Sequence, residues 1–110
     1  LQDEIVDVFT KHNKVFFFFL SLNTHVNYDL RDLVDNSFDC KQFNVDEKSS
    51  GCRNLKLQKQ FFNQFSKLIQ EPVLKGTYVI VVGDHTPPIY DESRHIFKDG
   101  QVSMIGFYIK

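Results

Sequence analysis

Asp84 and His85 stand side by side in "TYVIVVGDHTPP", residues 77 to 88, and His25 closes the tripeptide "NTH" at residues 23 to 25. A carboxylate and an imidazole are ordinary ligands for zinc or manganese, and a divalent ion between them can neutralise phosphoryl oxygens and lower the pKa of an attacking group. A further histidine nearby can hydrogen-bond a substrate oxygen or pass a proton to a leaving group. An Asp after Gly at a strand end is more often a plain turn or helix cap, so the pair taken alone favours a structural role over a metal site. His12 falls at a helix end, where the helix dipole accounts for it. His95 lies in the charged stretch "DESRH", which reads as a solvated loop.

Whether these groups can meet depends on the elements that carry them. "QDEIVDVFTK", residues 2 to 11, spaces Ile5, Val8 and Phe9 by three and four, with Asp3 and Glu4 in the first turn, and predicts a helix. "KVFFFFLSLN" is a continuous β-branched and aromatic run, the pattern of a strand covered on both faces. "NLKLQKQFFNQFSKLIQEP" sets Leu57, Phe61, Phe65 and Leu68 on one helical face and stops at Pro72. "TYVIVVG" and "VSMIGFYI" predict two further strands, the last reached through a turn at Asp99-Gly100.

Strand, helix, strand is the βαβ unit, whose crossover is right-handed in nearly all cases. The expected class is therefore α/β, a mostly parallel sheet with flanking helices. Parallel strands ending in "NTH" and "GDH" leave one edge of that sheet together, where α/β sheets bind ligands. That placement makes His25, Asp84 and His85 neighbours. Gly83 would let the backbone turn sharply, and Pro87-Pro88 would stiffen the loop beyond it.

Residues 23 to 53 are polar and turn-rich without a sustained period, an irregular stretch long enough to suggest a functional loop. Cys40 and Cys52 flank "KQFNVDEKSSG" within it. The pair reads either as a disulfide closing a short loop, which implies an oxidising compartment, or as two free thiols. With no histidine nearby it is a poor zinc site.

The bulk numbers bound the rest. A chain of 110 residues, 42% hydrophobic and 15% aromatic, fits one globular domain spanning residues 1 to 110. Thirteen Lys and Arg against 14 Asp and Glu leave a formal charge of -1, so no basic field exists to attract nucleic acid. The opening "LQDEIVDVF" has neither an initiator Met nor a leader pattern, and reads as part of a longer protein. The longest apolar run, residues 15 to 22, falls far short of the ~20 residues of a membrane-spanning helix.

"FFFFLSLNTHVNYDL", then "YVIVVGDHTPP", then "VSMIGFYIK" resembles, over roughly residues 14 to 110, the C-terminal half of the sulfatase-like branch of the alkaline phosphatase superfamily. The likeness is to the bacterial envelope enzymes that transfer phosphoglycerol or phosphoethanolamine, such as lipoteichoic acid synthase and the periplasmic glucan phosphoglycerol transferases. It implies the C-terminal portion of an alkaline-phosphatase-like fold and a larger sulfatase-like catalytic domain whose N-terminal half lies elsewhere. Asp84 and His85 match the adjacent Asp-His that supplies two ligands to the catalytic metal, zinc or manganese, with magnesium or calcium as further options. His25 matches the family histidine that contacts the transferred group. Arg94 or His95 falls where several members place another substrate-contacting basic residue.

The nucleophile, a Thr or Ser, would lie outside these residues, and Thr24 is not read as that group. Ser103 stands where the family commonly has Pro. The implied parent is an enzyme anchored in the inner membrane with this domain in the periplasm or outside the cell, a setting that suits a Cys40–Cys52 disulfide. It would move a group from a phospholipid-derived or other phosphodiester donor to a glycan or lipid acceptor, through a covalent intermediate. A sulfatase or phosphodiesterase hydrolase of the same superfamily, and a non-catalytic α/β binding domain, are the alternative readings. The isolated 110 residues are expected to show little or no catalysis.

Overall fold

A computed structural model describes residues 1–98 and 100–110. Its elements in chain order are α1 (Gln2–Lys11), α2 (Ser50–Leu68), β1 (Tyr78–Val82) and β2 (Met104–Tyr108), with short 3-10 turns at Cys40–Phe43, Pro72–Leu74 and Glu92–Ile96. The helix α1 occupies the predicted residues, with acidic Asp3 and Glu4 in its first turn and Lys11 in its last, each matched to the helix dipole. Its start is tied to the turn after α2, where the Gln2 side chain donates to Glu71 at 2.8 Å.

The predicted α2 begins at Asn54, but the helix begins at Ser50. Ser49 supplies the cap, its Oγ accepting from the Cys52 amide at 3.2 Å. The next free amides find partners far away in sequence. Ser50 N–H donates to the Asp91 carboxylate at 2.8 Å, and Gly51 N–H donates to Ser93 Oγ at 2.8 Å. Capping from another segment thus lengthens the helix by a turn. Asp91 and Ser93 themselves open the Glu92–Ile96 turn, which packs against α2.

The expected mostly parallel α/β sheet with flanking helices is not formed. β1 and β2 pair antiparallel, in the register Tyr78↔Tyr108, Val79↔Phe107, Ile80↔Gly106, Val81↔Ile105 and Val82↔Met104, as a two-stranded sheet. The run at residues 15 to 22 joins no ladder, so the predicted βαβ crossover is absent too. The physical reason is cover: a run apolar on both faces is a stable strand only when packed layers lie on each side. Here Phe16 is 94% exposed and Phe18 80%, against 36% and 37% for Phe17 and Phe19. The segment keeps the period-two alternation of an extended chain without the hydrogen-bonded neighbour that would make it a strand. The predicted Asp99-Gly100 turn includes Asp99, which lies outside the described residues.

Two small apolar clusters take the place of one core. Tyr28, Leu57 and Ile89 form the first, with Leu30, Leu33 and Phe97 against it. Cys40, Val45 and Cys52 form the second, with Phe38 and Ile96 against it. The radius of gyration is 16.0 Å, whereas a compact domain of this length has about 13 Å. Among the described residues no helix is long and apolar enough to cross a membrane.

Candidate functional site

β1 delivers Asp84 and His85. Its ladder continues one step beyond Val82, with Gly83 N–H donating to Ser103 O at 2.9 Å, so Gly83 extends the strand instead of turning it. A Cβ at Gly83 would meet its nearest neighbour only at 3.8 Å. Asp84 then folds its carboxylate back, and Oδ1 accepts from the His85 amide at 2.9 Å. His85 Nδ1 lies 3.0 Å from Thr86 O, a carbonyl that can only accept, which selects the tautomer with the proton on Nδ1. The Nε2 lone pair is then left 3.4 Å from Asp84 Oδ2, with both side chains about two-thirds exposed.

Two lone pairs held apart in this way form a bite. A tetrahedral ion with bonds of about 2.1 Å spans ligand atoms roughly 3.4 Å apart, so the pair fits two corners of a zinc-type centre. Among the described residues the one group of three His, Cys, Asp or Glu ligand atoms within 4.8 Å of one another is Cys40, Glu47 and Cys52. Its two sulfurs are bonded to each other in a disulfide, with Cα atoms 5.7 Å apart, and offer no thiolate. His25 is therefore not drawn into a three-ligand cluster with Asp84 and His85.

His25 is instead the shared corner of two consecutive turns. Its amide donates to Leu22 O at 3.0 Å, and its carbonyl accepts from Tyr28 N–H at 3.2 Å. The second turn requires a positive φ at its third residue, and Asn27 has φ 81, a conformation Asn tolerates better than most residues. The ring of His25 is exposed, with Nδ1 3.3 Å from Val26 O. Asn54, buried on α2, donates to Thr24 O at 3.5 Å and holds the turn from beneath.

The segments that follow the two motifs are linked, though not along a sheet edge. Tyr28 and Ile89 pack on Leu57 of α2, and the Tyr28 hydroxyl donates to Pro88 O at 3.2 Å. Thr86 Oγ1 lies 3.3 Å from the carbonyls of both Lys98 and Gln101, fixing the second loop from its other side. Arg94 and His95 sit exposed on the Glu92–Ile96 turn, with His95 Nδ1 2.6 Å from Glu92 O.

Between the loops and the start of α2 lies an open cleft of about 590 Å³, with Asn27, Tyr28, Arg53, Tyr90 and Asp91 among its walls. Burial, and secondarily the neighbouring Tyr90, push the Tyr28 hydroxyl up from its ordinary pKa and keep it a donor. Asp91 is held below the usual aspartate range, first by the Ser93 hydroxyl and then by the Ser50 amide. Tyr28, Asp91 and Arg53 are absent from the site residues expected from sequence. The signals for the first two were Asn27 as a left-handed turn residue and the Asp91-x-Ser93 cap pattern, whereas Arg53 carries no local signature. Comparison with known protein families, with curated proteins and with solved structures finds no match for this chain.

Proposed function

We propose that this chain carries the Asp-His metal ligands and the substrate-facing histidine of a metal-dependent phosphotransferase acting on phosphodiesters, transferring phosphoglycerol or phosphoethanolamine to an envelope glycan or lipid. The observation that carries the reading is the 3.4 Å bite between Asp84 Oδ2 and His85 Nε2 at the end of β1. Support also comes from the Tyr28–Pro88 hydrogen bond, which ties the loop of His25 to the loop of His85.

Asp84 and His85 would hold the ion, zinc or manganese by their donor set, and when bound it supplies positive charge to phosphoryl oxygens. His25, exposed on its turn, would donate a hydrogen bond or a proton to the departing oxygen. A Thr or Ser outside these residues would attack and form the covalent intermediate. Asp84 contributes twice, since the Oδ1 that accepts from the His85 amide also fixes the direction of Oδ2. The reading rests on these side chains and not on the sheet.

Titration of the 110-residue chain with Mn²⁺, followed by paramagnetic broadening of assigned amide signals, tests it. Selective broadening at Asp84 and His85, abolished in both Asp84→Ala and His85→Ala, is the expected result. Broadening that spreads over the surface carboxylates and survives both substitutions refutes the metal site and the activity built on it.

A further inference from the structure

The antiparallel pair of β1 and β2 has one face packed and one bare. On the packed face Phe107 meets Phe65 of α2, with ring centroids 6.2 Å apart. Cross-strand partners project to the same side, so Tyr78, Ile80 and Val82 share the opposite face with Tyr108, Gly106 and Met104. That face lies open: Tyr78 is 80% exposed, Ile80 70% and Met104 72%, with Val82 at 59% and Tyr108 at 48%. None of these six residues is charged, and their side chains offer two phenol oxygens as their polar atoms.

The face also has a relief. Gly106 stands directly across from Ile80 at its centre, between the Tyr78–Tyr108 pair, whose ring centroids are 4.8 Å apart, and the Val82–Met104 pair. A Cβ at Gly106 would meet nothing nearer than Val79 O at 3.8 Å, so the space above it is empty. An exposed isoleucine and a hollow thus lie side by side, one strand spacing apart, and make the face complementary to itself. A two-fold axis running along the strands sets β1 of one copy over β2 of the other, and Ile80 of each then enters the hollow above the partner's Gly106. The same operation lays Tyr78 over the partner's Tyr108 and Val82 over the partner's Met104.

We infer that this face is the contact surface of a homodimer, in which two copies stack their bare sheets as an aligned sandwich and Ile80 is seated over Gly106 twice. At ~200 Å² for a tyrosine and ~100 Å² for an aliphatic side chain, the exposures above amount to about 500 Å² per copy and about 1,000 Å² for the pair. That is the low end for a specific interface, so the dimer is weak and reversible. An uncharged face gives a charged partner nothing to pair with, whereas a second copy fills the hollow and sets no like charges against each other across the face. The run at residues 15 to 22 is apolar too, but it joins no ladder and so offers no fixed relief to match. The dimer uses neither Asp84 nor His85 and stands apart from the function proposed above.

The test is analytical sedimentation of the 110-residue chain in EDTA over a concentration series. The expected result is a rise from the monomer mass to a plateau at twice that mass. Gly106→Val should prevent the rise, since the valine fills the hollow, while the open space above Gly106 and the strand preference of valine leave β2 intact. Ile80→Lys should prevent it from the other side of the fit. Unchanged NMR signals for Phe65 and Phe107 in both variants show that the packed face persists. A mass that stays monomeric up to ~1 mM overturns the inference and needs no variant. A dimer that survives Gly106→Val overturns it as well. Association that continues past the dimer, and is lost in Phe18→Lys but not in Gly106→Val, assigns the contact to residues 15 to 22 and overturns it too.

Discussion

Tyr28 reaches across from one motif loop to the other, its hydroxyl on Pro88 O, while its ring packs on Leu57 and Ile89. Tyr28 and Pro88 each lie three residues beyond a histidine, His25 and His85, so one hydrogen bond links both turns at matching positions. Removing the hydroxyl in Tyr28→Phe keeps the ring and leaves the part-buried Pro88 carbonyl without its donor. The expected loss is about 1 kcal/mol in urea unfolding, with faster amide exchange at residues 25 to 28. Unchanged exchange there would show that the loops are held by packing alone.

Gly51 touches Ser93 more closely than any side chain could allow. A Cβ at Gly51 would lie 2.6 Å from Ser93 Oγ and 2.7 Å from Ser93 Cβ. Gly51→Ala should therefore cost roughly 1–3 kcal/mol, as overpacking does. Ser93→Gly makes room for the new methyl but removes the acceptor of the Gly51 amide, so the double variant should recover only part of the loss. Thermal unfolding of the two single variants and the double variant checks this.

Acid should loosen the start of α2. Asp91 is held below the usual aspartate range by the Ser93 hydroxyl and the Ser50 amide. A depressed folded-state pKa stabilises fully above the unfolded value of about 3.9 and is lost as pH falls through the lower folded value. Asp29, pulled down by the Arg31 amide and guanidinium, and Asp35, pulled down by Ser37, act in the same direction. Stability should be level at neutral pH and fall below about pH 4. Asp91→Asn keeps an acceptor oxygen and should flatten part of that fall, whereas an unaltered pH profile would separate Asp91 from the acid response.

The Cys40–Cys52 bond closes a loop with a sequence separation of 12. Cross-linking a loop of this size contributes roughly 3 kcal/mol by the chain-entropy argument. Reduction, or Cys40→Ser with Cys52→Ser, should lower the unfolding midpoint accordingly. The loop also carries Glu47, which accepts from the Cys40 amide at 3.2 Å and pairs with the buried Lys56 ammonium at 3.0 Å. Glu47→Gln should leave Lys56 buried without its counter-charge and destabilise the chain further. A reduced chain with unchanged melting would show that the second apolar cluster holds together on its own.

Local pattern was legible where the physics is local. The apolar spacing around Ile5 and the stripe from Leu57 to Leu68 mark the two helices, and "YVIVV" and "MIGFY" mark the two strands. Strand direction was not legible, because an apolar run reads the same for either pairing, and only the path of residues 83 to 103 decides that β2 returns antiparallel. The early start of α2 depends on Asp91 and Ser93, some forty positions away, and no window on the helix itself contains them. At the site, residue type singled out Asp84 and His85, while Arg53 is a lone arginine in a polar stretch with no pattern around it. Its orphaned Nε–H is a fact of packing.

The run at residues 15 to 22 leaves large apolar side chains exposed. It is extended, carries four consecutive phenylalanines and no charge or proline, and belongs to a chain with a formal charge of only -1. Such a segment has little rearrangement to make before stacking against an identical one in a cross-β array. If the chain aggregates, these residues are the expected point of contact, and a charge placed at Phe18 should slow that aggregation.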